Sequence, residues 1–388
     1  MTMPLMKNVY GLTRRRLLGG VGAGLALSLL PRAAHAADDL DDLIREQMAV
    51  AQIPGLAVGL ARDGEVAFAR SYGFADLEQR RPVTPDTMFH IASITKTVTA
   101  TAVMMLVDAG RIELDQRVAP YLDFTIAGEQ AATITFRHLL MHTAGISEEV
   151  YYQTDFRTHG ADASLTIDQL LRDYLAPGGR YTGTGNVKTV PGTHWAYSNI
   201  GYGLLGYLAG RIAGQDMRVF TRDHIFRPLG MRHTAWTIAD TPADLAVTPY
   251  DLVDQAVEPV PPVGFPDWSA GMMRASIRDL TQFVAMVANG GVAGDVRVLS
   301  SAHAAEMLTM QTPEGLSPWL SGQGLAWQQS SLGGVPSANH WGGDPGVFTM
   351  AYLDPAQRKG VVLLSNLSAT GESRDALKSI AAKVFEAN

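Results

Sequence analysis

A chain of 388 residues, 46% of them hydrophobic, has enough apolar material for a large core or for two lobes. Its formal charge of −7 argues against nucleic acid and against anionic membrane surfaces as partners. The absence of cysteine excludes disulfides, thiolate metal sites, a cysteine nucleophile and a lipidated N-terminal cysteine.

The first segment reads as an export signal. Thr13-Arg14-Arg15-Arg16-Leu17-Leu18 is a twin-arginine-like start, and Ala34-His35-Ala36 offers a small-x-small cleavage site. The apolar run between them, Leu17 to Leu30, is 14 residues long, short of the roughly 20 a membrane-spanning helix needs. Residues 1–36 are therefore expected to leave as a signal peptide. That implies a periplasmic or secreted chain over 37–388 with no stable membrane anchor. Loss of Lys7, Arg14, Arg15, Arg16 and Arg32 takes the net charge from −7 to −12.

A helix is predicted over Asp38–Ala51, with Leu40, Ile44, Met48 and Val50 as its apolar side. Leu56–Ala61 and Glu65–Ala69 flank Asp63-Gly64, a hairpin signal. Pro82 and Pro85 mark a loop leading to Phe89 and a helix that ends at Gly110. Further helices are expected near Thr135–Leu140, over Thr166–Leu175, Tyr202–Ile212, Arg218–Phe226 and Ile277–Ala288, with a glycine-rich loop at Pro177–Pro191. Strands follow at Gly324–Trp327, Phe348–Leu353 and Gly360–Leu364, then a last helix over Ser373–Phe385. Strands at both ends around a helical middle predict an α+β arrangement. Its antiparallel sheet comes from both termini (about 38–90 and 323–388), with a mostly helical lobe inserted (about 91–322).

Chemistry concentrates in three places. Ser93 is the chain's only serine three residues before a lysine, Lys96. On a helix such residues share a face, which places an amine beside a hydroxyl at the positive end of the dipole. A serine needs a base to become a nucleophile, and burial lowers a lysine pKa far enough for that task. Tyr197-Ser198-Asn199 is the only Tyr-x-Asn; its phenol would pass a proton and its amide would hold a substrate carbonyl. His340-Trp341-Gly342-Gly343-Asp344-Pro345-Gly346 carries the only His-x-Gly and reads as a glycine-rich turn before a strand. A backbone N–H near Gly343, paired with that of Ser93, would make an oxyanion hole.

Together these segments resemble the serine hydrolases of the class C β-lactamase, D-alanyl-D-alanine carboxypeptidase and β-lactamase-like (family VIII) esterase group. That group carries Ser-x-x-Lys, Tyr-x-Asn and (Lys/His)-x-Gly in this order; here the motifs stand 104 and 143 residues apart. Leu139–Gly145, Pro228–Met231 and Ser269–Met272 look like the same group. The resemblance covers about Leu40 to the C-terminus and implies the β-lactamase/penicillin-binding-protein-like fold. It also implies Ser93 as the acylated nucleophile, with Lys96 and Tyr197 sharing proton transfer and either one as the base. Asn199 would orient the acyl side chain, His340 would line the cleft beside Tyr197, and Gly343 would give the second oxyanion donor.

The third motif departs from the Lys-Thr-Gly of true class C enzymes. Neutral histidine binds a substrate carboxylate less well than lysine, and Trp341 replaces a small hydroxyl residue. Trp341-Gly342-Gly343 also matches the Trp-Gly-Gly of some esterases in the group. Ester or D-amino-acid peptide hydrolysis is thus expected ahead of β-lactam hydrolysis, on a small-molecule or peptidoglycan-type substrate. A penicillin-binding or muropeptide-sensing protein that acylates and stalls is the alternative. No Gly-x-Ser-x-Gly elbow exists; Ala69–Gly73 is its nearest imitation, and Ser71 reads as a strand residue. His138 and His142 stand four apart with no acidic residue in zincin register, so they read as structural, and no metal or cofactor is expected.

Overall fold

The computed structural model describes residues 30–386, with side chains from residue 39 onward. Most of the expected signal segment, residues 1–29, lies outside the described residues; the expected cleavage site falls within the first helix, α1 (Leu30–Val50). The chain divides into a unit ending at Leu43 and a unit from Ile44 onward, and the second holds everything discussed below. In α1, Ile44 and Met48 are buried as expected, but Val50 is 66% exposed because the helix ends there.

Among the described residues, eight strands form the main sheet. In chain order they are β1 (Gly55–Arg62), β2 (Glu65–Asp76), β3 (Arg81–Pro82), β4 (Gly322–Gln323), β5 (Gln328–Leu332), β6 (Val335–Asp344), β7 (Val347–Asp354) and β8 (Lys359–Ser365). Their order across the sheet is β4-β5-β6-β7-β8-β1-β2-β3. The antiparallel pair β1–β8 joins the two ends of the chain, Leu56 opposite Ser365 and Arg62 opposite Lys359. The predicted sheet from both termini is therefore the observed one. Asp63 and Gly64 close the β1–β2 hairpin with φ of 53° and 83°, the left-handed pair that a two-residue turn of this twist requires.

The sheet is covered on both faces. Helix α4 (Ile277–Ala288) packs on β8, β1 and β2, although it lies within the inserted stretch of sequence. A Cβ at Gly59 would come within 2.0 Å of Thr281 Oγ1, so β1 and α4 meet through a bare backbone. Helix α5 (Gly371–Glu386) covers β7 and β8 from the opposite face. Burial on both sides explains why β7 and β8 read as continuous apolar runs.

Two strand expectations change. Gly324–Trp327 is a bend, with Ala326 at φ 66° and its N–H donated to Leu140 O at 3.0 Å. Trp327 anchors that bend in the core, fully buried. Strand β6 was not expected at all, because Val335-Pro336-Ser337-Ala338-Asn339 shows no clean alternation. The His340–Asp344 segment is part of that strand, and only Pro345-Gly346 forms the turn.

Candidate active site

Ser93 lies on a strained turn feeding a buried helix. Ala92–Ile94 forms a 3₁₀ turn, and α2 (Thr95–Asp108) continues from it. Ala92, a non-glycine residue, sits at φ 45°, a conformation that persists only where neighbours impose it. Here Ile91 N–H donates to Met273 O at 2.9 Å, and Thr349 Oγ1 donates to Ile91 O at 3.1 Å. Gly342 presses on the same carbonyl: a Cβ there would lie 2.3 Å from Ile91 O. The glycine of the third motif thus lets β6 pass close to the turn that presents Ser93.

Lys96 lies in the first turn of α2 and is fully buried. Its Nζ donates to Ser93 Oγ at 3.2 Å, to Asn199 Oδ1 at 2.8 Å and to Ala270 O at 2.7 Å. Burial pushes its pKa down to about 8, against the opposing fields of Asp267, Glu148 and Asp344. The ammonium also sits over the Tyr197 ring, 4.7 Å from the centroid. Burial raises the Tyr197 phenol well above its ordinary value; a hydrogen bond from Ser93 works the other way.

The Tyr197-Ser198-Asn199 turn is held from beneath. Asn199 opens α3 (Asn199–Ala213), and Ser198 Oγ accepts from Gly201 N at 2.9 Å as its cap. The Ser198 N–H donates to His142 Nδ1 at 3.0 Å, which fixes the proton of this neutral ring on Nε2. The His142 ring stacks under Tyr197, centroids 4.3 Å apart. Glu148 Oε1 accepts from Ser198 Oγ at 2.7 Å and from Ile200 N at 3.0 Å. Burial raises Glu148 to about 7.

The cleft in front of Ser93 has a volume of about 480 Å³ and is lined in part by Tyr197, Asn199, Asp267, Gly343 and Asp344. Strand β5 pairs with β6 only as far as Asn339, so from His340 onward that edge is open. The two-residue turn at Pro345-Gly346 makes Asp344 and Val347 a hydrogen-bonded pair. By alternation, His340 and Gly342 bond towards β7, while the N–H of Gly343 points out of the open edge into the cleft.

Ser93, Lys96, Tyr197, Asn199 and Gly343 therefore come together from three separate segments. The other three expected cleft residues do not line it. His340 is buried, its Nδ1 paired with its neighbour's carbonyl, Trp341 O, at 2.8 Å, and burial lowers it to about 3. Gly342 is buried against Ile91. Trp341 faces the α5 side of the sheet, stacked on Trp319 at 4.9 Å with Lys378 Nζ over its ring. The period-2 alternation of a strand sends Trp341 to the face opposite Asp344, while His340 and Gly342 share the face of Asp344 but lie beneath the cleft surface, packed towards Lys96 and Ile91.

A profile of the Beta-lactamase family matches residues 40–385. The chain belongs to the beta-lactamase family. Penicillin-binding protein 4 of Amycolatopsis lactamdurans is 30% identical over 351 residues, 86% of this chain and 85% of that protein. Esterase EstB of Burkholderia gladioli is 32% identical over 223 residues, 56% of each chain. Among solved structures, D-amino acid amidase from Ochrobactrum anthropi superposes with a TM-score of 0.72 at 24% identity, over 90% of this chain and 98% of that one, a likeness of fold. The D-alanine carboxypeptidase AmpC from Burkholderia cenocepacia gives 0.68 at 25% identity, over 90% and 99%.

In this beta-lactamase-family chain, several residues around the cleft escaped sequence reasoning. Glu148, Asp267 and Asp344 each lie within three residues of a recognised stretch, but nothing in the local pattern marks them as buried. Ala270 acts through its carbonyl, which no side-chain motif reveals. Glu148→Ala is expected to cost about 2–4 kcal/mol of stability by leaving Ile200 N–H and Ser198 Oγ–H unpaired in the interior. Glu148→Gln, which keeps the accepting oxygen, should recover most of the loss in thermal unfolding; equal losses in the two variants would contradict this role.

Proposed function

We propose that this protein is an exported serine hydrolase that cleaves esters or amides of small carboxylic or amino acids through an acyl-enzyme on Ser93. The observation that carries the reading is Lys96: a buried amine, held on three sides, with its Nζ 3.2 Å from Ser93 Oγ. The pKa directions support Lys96 rather than Tyr197 as the base. Burial brings the amine towards neutrality and holds the phenol protonated, so the amine takes the Ser93 proton as Oγ bonds to the carbonyl carbon. The oxyanion rests on the Ser93 and Gly343 N–H groups. The lysine proton then passes through Tyr197 to the leaving group as the carbonyl–leaving-group bond breaks. Water, losing its proton by the reverse route, releases the acid.

The third motif supports esters and amides over β-lactams. His340 is buried and neutral and Trp341 faces away, so neither supplies a cation for a β-lactam carboxylate. Export rests on the twin-arginine pattern, the short apolar run and the small-x-small site at Ala34-His35-Ala36. Mass spectrometry after mixing with p-nitrophenyl acetate should find a transient acetyl group on Ser93 that decays with continued nitrophenol release. A permanent adduct would favour a sensor, and an adduct at another residue would overturn the assignment.

A further inference from the structure

Asp344 is a cleft carboxylate that the reaction above does not use. It ends β6, one residue beyond Gly343, and lines the cleft with Ser93 and Asn199. Among the described residues no side chain donates a hydrogen bond to it. Its near neighbour His90 has Nε2 3.7 Å from Oδ2, but that nitrogen bonds Gly271 O at 2.6 Å. Burial holds His90 neutral, at about 3, so this contact is no ion pair.

The cations around Asp344 are committed elsewhere. Arg274 donates to Val263 O at 3.1 Å and to Met272 O. Arg157 forks onto Asp155 at 2.8 and 3.1 Å. Lys96 is saturated by Ser93, Asn199 and Ala270. The second cleft carboxylate, Asp267, is 2% exposed and already accepts from Tyr151 Oη at 3.1 and 3.2 Å. The cleft thus presents free acceptor oxygens on Asp344, and the one cation on its lining, Arg157, is already paired with Asp155. A carboxylate-bearing ligand meets the like charge of Asp344 there, whereas an ammonium finds a partner whose side chain is only 20% exposed.

We propose that Asp344 binds a primary ammonium on the acyl half of the substrate, which makes amides or esters of unblocked α-amino acids the preferred class. This rests on the reading of Ser93 as the nucleophile. The acyl half is indicated by the course of β6. Tyr197, which serves the leaving group, stacks on His142, and His142 lies near His340. Asp344 is four residues further on, about 13 Å along an extended strand. Gly343, whose N–H faces the cleft, lies between His340 and Asp344 on this strand, so the carboxylate lies beyond the oxyanion donor, away from the His340 end. Burial raises Asp344 to about 7, and an arriving ammonium favours its ionised form, which strengthens the pair.

The test compares alanine p-nitroanilide, in both enantiomers, with its N-acetyl counterpart, and uses p-nitrophenyl acetate to report acylation. The protein is expected to favour the free amine by about tenfold or more in kcat/KM, for one enantiomer at least. Asp344→Asn should reduce that preference about tenfold, and Asp344→Glu should restore part of it. Equal or better turnover of the acetylated compounds, or an unchanged preference in Asp344→Asn, would overturn the ammonium site while an adduct on Ser93 left the nucleophile standing. No Ser93 adduct with any of the compounds would sink the nucleophile and the ammonium site together.

Discussion

Ser93→Ala is expected to abolish ester hydrolysis, a loss of about 10³-fold or more in kcat, while the protein stays folded. The size of the effect follows from what is removed. Among the described residues no other hydroxyl hydrogen-bonds Lys96 Nζ, whose remaining contacts are Asn199 Oδ1 and Ala270 O. Those two contacts survive the substitution, so the buried amine keeps its anchors. The Ser93 side chain is only half-buried and caps nothing, so the stability change should stay near 1 kcal/mol. Thermal unfolding and p-nitrophenyl acetate turnover measured on the same sample decide the matter. Hydrolysis surviving within tenfold of the native rate would show that a different residue is acylated.

Lys96→Met should be nearly as severe in activity, about 10³-fold, and should cost more in stability. Methionine fills a similar volume, but it leaves Asn199 Oδ1 and Ala270 O without their donor in the interior, a loss of about 1–3 kcal/mol. The same lysine predicts the pH profile. Its amine is active when neutral, and its pKa is pushed down to about 8. At pH 7 roughly a tenth of the molecules carry the neutral amine, so kcat/KM for an uncharged ester should climb with pH and level off above about 8. Glu148 and Asp344, both raised to about 7, titrate on the lower part of this limb, and their charges raise Lys96, so removing either should move the limb to lower pH without abolishing it. The limb should therefore persist in Glu148→Gln and Asp344→Asn. A profile flat between pH 6 and 9, or a limb that vanishes with either carboxyl, would remove Lys96 from the role of base.

Local patterns read well wherever the physics is local. The Asp63-Gly64 turn, the Ile277–Ala288 helix and the helices that start near Thr135 and Thr166 all depend on neighbours a few residues away, and each is legible in the sequence, although both threonines prove to be caps rather than helical residues. Ser-x-x-Lys and Tyr-x-Asn were legible for the same reason: their spacing determines which atoms share a helix face or a turn. The third motif reads in sequence as a glycine-rich turn; in the structure Gly343 opens onto the cleft, Trp341 faces α5 and His340 is buried below the cleft surface. Strand face decides this for Trp341 and depth of burial for His340, and the strand itself was hidden by its polar, proline-containing start.

The sequence by itself determined the covalent chemistry on offer: an alcohol, an amine, a phenol and an amide in a recognisable order, and a chain whose two ends must share one sheet. Only the tertiary structure decided how that chemistry is tuned. Burial, a property of the whole packed chain, lowers Lys96, raises Tyr197 and leaves Asp344 as a carboxylate without a partner. Solvent exclusion and charge proximity act through space between residues as many as 251 positions apart, Ser93 and Asp344, and no local window of sequence contains both.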